Sequence, residues 1–185
     1  MKKNKKETDL WIYVLLLTTL TILTESLKTY TFKVFGNNLS YSLILLPIVY
    51  LLINIISKKF DYKKAIAAIA VSGVIFVSFS FIIAYFVENN FILRSISGEF
   101  CAYVVSALVN LTIYNFLLNN TESPILLVII NYIFSLIVYY MIYTIMYLNM
   151  IMFDNYWVGY FITLAIQLPI CIGLAIIDKK TERGQ

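Results

Sequence analysis

Long apolar runs, separated by short clusters of charge, divide the chain from end to end. A bilayer core takes about 20 apolar residues per helix, and six windows reach that length, at about 10–27, 39–57, 65–87, 95–117, 125–147 and 157–177. The connections between them are short, so consecutive helices should lie antiparallel in one bundle. The pattern therefore predicts an all-α integral membrane protein with six transmembrane helices, a single domain over residues 1–185 and no repeat of soluble type. The first window has the basic start and apolar run of a signal peptide. It lacks a small-x-small cleavage site and more membrane segment follows, so it reads as a retained first span.

Polar residues inside these windows are few, and their spacing carries information. In "RSISGEFCAYVVSALVNLTIYNF" of the fourth window, Glu99, Tyr103, Ser106, Asn110 and Tyr114 recur at steps of four, three, four and four. That spacing sets them along one face of an α-helix. Thr18, Thr21, Glu25 and Lys28 share a face of the first helix, Asn131, Ser135, Tyr139 and Tyr143 one of the fifth, and Tyr160, Thr163 and Gln167 one of the sixth. Polar groups in hydrocarbon are costly, so such stripes should face the bundle interior, a cavity or one another.

Composition agrees with the pattern: 61% of the residues are hydrophobic and 13% charged, with a mean hydropathy of +0.85. Basic residues set the orientation, because cytoplasmic loops are enriched in Lys and Arg. With both termini cytoplasmic, eleven fall inside (Lys2, Lys3, Lys5, Lys6, Lys58, Lys59, Lys63, Lys64, Lys179, Lys180, Arg183) and three outside (Lys28, Lys33, Arg94), which predicts an N-in/C-in topology. Trp11, Trp157, Tyr156 and Tyr62 fall near the interfaces, where amphipathic rings are favoured. The net charge of +4 follows from basic residues at cytoplasmic helix ends, next to anionic headgroups, and gives no reason to expect a nucleic-acid partner.

There is no histidine, and the two cysteines, Cys101 and Cys171, lie inside apolar windows. This argues against a zinc centre or a histidine-based catalytic site, and no cofactor is expected. No paired-Asp or G-x-S-x-G motif points to an intramembrane enzyme. The candidate ligand-lining residues are Asn110, Glu99, Asn131, Ser135 and Gln167, with Asn54 of the second helix next. Two readings compete for each. Ser, Thr, Asn and Gln can serve as interhelical glue worth on the order of 1 kcal/mol each, or their donors and acceptors can hold a polar solute. Glu99 could carry a proton, snorkel to the outer interface or pair with Arg94, and Glu25 could form an i,i+3 pair with Lys28. The aromatic fifth window, with Tyr132, Phe134, Tyr139, Tyr140, Tyr143 and Tyr147, would suit a planar ligand. Pro47 and Pro169 remove backbone hydrogen bonds inside two helices, as at transporter sites and also at packing kinks.

The segment "LPIVYLLINIISKKFDYKKA" resembles the second-span motif of the queuosine precursor transporter (VUT) family, with Pro47, Tyr50, Tyr62 and Ala65 in register. Asn54, Lys58 and Asp61 stand where that motif has Asp, Glu and Gly. A second block is similar through Arg94, Gly98, Ala102, Tyr103, Ser106 and Asn110, and the likeness runs from about residue 24 onward. It implies a six-helix importer in the prokaryotic cytoplasmic (inner) membrane that carries deazaguanine bases for queuosine synthesis. Its partners would be a small-molecule substrate, such as a deazapurine, and the lipid bilayer. Two other readings stay open. One is the substrate-binding subunit of an energy-coupling-factor transporter, docked on an ATPase module; the Leu- and Thr-rich first helix lacks the Ala-x-x-x-Ala pair expected of one. The other is a non-transporting membrane scaffold, in which polar stripes only glue helices.

Overall fold

Polar punctuation decides where the apolar runs become helices. The computed structural model describes residues 2–27, 30–34, 37–87, 90–120, 123–147 and 156–183; within these, the side chains at 2–6, 37–39, 43, 87, 90–95, 124, 143–144, 146–147, 156–160, 174–175 and 177–183 are left aside. Six helices occur among the described residues: α1 (Lys2–Ser26), α2 (Ser42–Phe60), α3 (Tyr62–Val87), α4 (Asn90–Leu118), α5 (Pro124–Tyr147) and α6 (Tyr156–Arg183). Four of them contain stretches long and apolar enough to cross a membrane, at Glu7–Ser26, Tyr62–Phe86, Ile96–Leu118 and Ile125–Ile142, and α6 adds a shorter one, Phe161–Gly173. The chain is thus a helical, multi-pass membrane protein.

Between α1 and α2 stands an antiparallel hairpin of β1 (Thr31–Val34) and β2 (Asn37–Ser40), in register from Thr31 opposite Ser40 to Val34 opposite Asn37. The second apolar window therefore starts too early at residue 39. Ser40 ends a strand and its Oγ accepts the Ser42 N–H at 3.1 Å, so the helix opens behind it. Phe32 packs on Tyr41 with ring centroids 4.9 Å apart, joining hairpin to helix. α5 opens with Pro124 in the first turn, where a missing N–H costs nothing, and the Ser123 backbone carbonyl accepts the Leu127 N–H at 3.0 Å.

Packing places α2 and α4 at the centre. α2 contacts α1, α3, α4 and α6, while α4 contacts α2, α3 and α5. Leu17, Ile53, Ile56, Ala65, Ala107, Leu111 and Leu136 are completely buried there. Gly73 lets α3 approach α4, because a Cβ at this position would stand 3.1 Å from the Phe100 ring and 3.4 Å from Val104. Trp11, Leu15, Val74, Phe81, Ile82, Phe134 and Phe161 face outward, as side chains in contact with lipid do.

Candidate site: asparagines at the crossing of α2, α4 and α5

The α4 stripe is buried along its whole length: Glu99, Tyr103, Ser106, Asn110 and Tyr114 all face inward. Part of it is glue. Tyr50 Oη on α2 donates to Ser106 Oγ at 2.7 Å, and Ser106 Oγ donates in turn to the Tyr103 carbonyl at 3.0 Å. Tyr103 Oη and Ser72 Oγ of α3 share a 2.8 Å hydrogen bond, and Ser72 Oγ lies 3.0 Å from the Ile69 carbonyl. Toward the other end of α4, Asn115 and Ser57 exchange hydrogen bonds at 3.0 and 3.1 Å. These contacts tie α2, α3 and α4 together and leave their polar groups satisfied.

The asparagines that the sequence singled out behave differently. Asn54 of α2, Asn110 of α4 and Asn131 of α5 line one small cavity together with Tyr50, Tyr132 and Cys171. They are 4%, 1% and 1% exposed, and in each the Oδ1 atom is buried with no hydrogen-bond partner among the described residues. An unsatisfied buried carbonyl costs roughly 1–3 kcal/mol. Three such amides, each carrying an acceptor oxygen and a donor NH2 group, line one cavity. The cavity offers about 10 Å³ to water centres, room for one water-sized occupant.

Glu99 belongs to a second and larger cavity, about 40 Å³ by the same measure, where it is joined by Thr21, Thr24, Glu25, Ser42 and Tyr103. At 3% exposure it points into the bundle, so snorkelling to the outer interface does not describe it. The reason is its phase: it lies on the same face of α4 as Tyr103 and Asn110. Its pairing with Arg94, and that of Glu25 with Lys28, fall on side chains outside those described. Ser135 is buried but lines neither cavity; its hydroxyl donates to the Asn131 carbonyl at 2.7 Å. Gln167 is fully buried on α6, also outside both lining sets. The α1 threonines bond their own helix, Thr18 to the Val14 carbonyl at 2.8 Å and Thr21 to that of Thr18 at 2.8 Å.

Sequence reasoning named the three asparagines that share a cavity and did not name as lining Tyr50, Cys171 or Glu25. Tyr50 lies one turn before Asn54, a spacing that places both on one face. Cys171 lines the asparagine cavity as a buried free thiol. Glu25 shares the larger cavity with Glu99, a meeting of two helices that spacing along one helix could not show. No family model matches the chain, and no match emerges among curated proteins or solved structures.

Proposed function

We propose that the protein is a six-span importer of a small polar solute in a prokaryotic cytoplasmic membrane, with both termini cytoplasmic. Asn54, Asn110 and Asn131 bind the solute, which by resemblance is a deazaguanine base. The observation that carries this reading is the set of three buried, unpartnered amide oxygens brought to one cavity by three helices. Glue would pair them, as it pairs Ser57 with Asn115; a binding site keeps amide acceptors and donors ready for a polar ligand. A water-sized cavity corresponds to an occluded state, and a base enters only when α2, α4 and α5 part, as in the rocking of helix bundles around a central site.

The test is uptake of labelled deazaguanine bases into cells that cannot make them, with the gene, without it and with Asn110→Leu. Uptake that needs the gene and is lost in the variant is expected. Full uptake in Asn110→Ala and Glu99→Ala cells, with altered cell shape on depletion, would instead favour the scaffold. Co-purification with ATPase subunits would turn the importer into the binding subunit of a larger machine. For topology, single cysteines replacing Lys33 and Lys63, in a background without Cys101 and Cys171, should react with an impermeant thiol reagent from outside and only after lysis, respectively.

A further inference from the structure

Two hydrogen-bonded pairs tie α2 to α4, and the asparagine cavity lies between them. Tyr50 Oη donates to Ser106 Oγ at 2.7 Å, and Ser57 and Asn115 exchange hydrogen bonds at 3.0 and 3.1 Å. On α2, Tyr50 stands four residues before Asn54 and Ser57 three after it; on α4, Ser106 stands four before Asn110 and Asn115 five after it. At the α-helical rise the two pairs are about 11 Å apart along α2 and about 14 Å apart along α4, one on each side of the asparagines.

The order of lining residues shows what the first pair divides. Along α2, Ser42 and Leu46 line the larger cavity and Tyr50, Leu51 and Asn54 the smaller; along α4, Glu99 and Tyr103 line the larger and Asn110 the smaller. α5 runs the opposite way and reverses the order, with Asn131 and Tyr132 on the smaller cavity and Tyr139 on the larger. The cavities are therefore stacked along the bundle. Between them lie Tyr50, Tyr103 and Ser106, with Leu136 completely buried at the corresponding height of α5. Tyr103 Oη is bonded to Ser72 of α3 at 2.8 Å, so this end of the layer is fixed to α3, while the Tyr50 hydroxyl carries the link to α2.

We infer that the Tyr50–Ser106 and Ser57–Asn115 pairs are the two gates of the asparagine cavity. The first closes it toward the larger cavity and the hairpin, the second toward the turn between α2 and α3. This rests on the transport reading, whose site the gates enclose, and on its topology, by which the first gate faces outside and the second the cytoplasm. Both pairs join the same two helices. Parting α2 from α4 at one pair while the other holds opens the cavity to one side only, and the larger cavity then serves as the outer chamber of the solute's path. Loss of one pair should favour opening on its own side about fivefold.

Cys171, a buried free thiol in the lining of the asparagine cavity, reports the opening. Full-length protein carrying Cys101→Ser, in right-side-out and inside-out membrane vesicles, is treated with an impermeant trimethylammonium methanethiosulfonate, and the rate of Cys171 modification is read from the mass shift. Ser106→Ala should raise that rate about fivefold from outside and leave it unchanged from the cytoplasmic face; Ser57→Ala should do the opposite. Tyr50→Phe, which keeps the ring and loses the bond, should act as Ser106→Ala does, by a smaller factor. Rates that rise equally from both faces, or that match those of the Cys101→Ser parent in all three variants, overturn the gates. A clean exchange of the two faces keeps the gates and inverts the topology. The gates and the importer fail separately. Sided labelling without solute uptake keeps the gates and removes the importer, whereas uptake with labelling indifferent to the face keeps the importer and removes the gates.

Discussion

Asp61 carries a backbone that suits glycine: φ is 141° and ψ 153° at the single residue between α2 and α3. Its N–H donates to the Ser57 carbonyl at 3.1 Å and its carbonyl accepts from Ala65 at 3.1 Å, so both flanking helices hold it there. A side chain in this region costs about 1–3 kcal/mol, part of which a glycine returns as extra freedom of the unfolded chain. Asp61→Gly should therefore raise stability by about 1 kcal/mol, read as a higher Tm in detergent, whereas Asp61→Val should lower it. The same scale separates the partners of one hydrogen bond. Ser106→Ala leaves the buried Tyr50 hydroxyl without its acceptor and should cost about 1–2 kcal/mol, while Tyr50→Phe leaves Ser106 still bonded to the Tyr103 carbonyl and should cost less. Equal losses in the two variants would show that the bond is not what holds Tyr50 in place.

Helix faces were legible in the sequence; the relation between helices was not. The steps of three and four from Glu99 to Tyr114 mark a buried face because the α-helical period is fixed, and every one of those residues is indeed buried. The hairpin between α1 and α2 escaped, although Phe32 and Val34 alternate with polar neighbours ahead of Gly36, Asn37 and Asn38, a composition that favours tight turns. An apolar-window reading has no means to register a strand of four residues. Nor does periodicity reveal that Gly73 sets the approach of α3 to α4, since that depends on the Phe100 ring lying across it at 3.1 Å. Gly73→Leu should cost about 1–3 kcal/mol by overpacking. The double variant Gly73→Leu/Phe100→Ala should recover much of that loss, because the space the ring gives up takes the new side chain. Additive losses in a double-mutant cycle would disprove the contact.

Across the whole molecule, the asparagines combine a gain for function with a cost to stability, and that combination separates an importer from a scaffold. Sequence spacing nominated Asn110 and Asn131 on two different stripes and Asn54 on none, so nothing short of the packing of α2 against α4 and α4 against α5 could bring them together. Ser135 fell outside although it shares a face with Asn131, because it lies one turn further along α5 and its hydroxyl is taken by the Asn131 carbonyl, and Gln167 is buried on α6 beyond either lining. Leucine has nearly the shape of asparagine without its polar atoms. If the three amides are glue, Asn110→Leu removes interhelical bonds and lowers stability by about 0.6 kcal/mol or more. If they are acceptors held open for a ligand, the same change removes an unsatisfied buried carbonyl and should leave stability unchanged or raise it by about 1 kcal/mol. Asn54→Leu, Asn110→Leu and Asn131→Leu should each unfold at or above the wild-type Tm and each fail in uptake. Ser57→Ala, which breaks a satisfied pair, should do the reverse, lowering Tm while uptake persists. That opposition of signs depends on the bundle holding its three acceptors unpaired at rest, and a uniform fall in Tm across all four variants would return the asparagines to the role of glue.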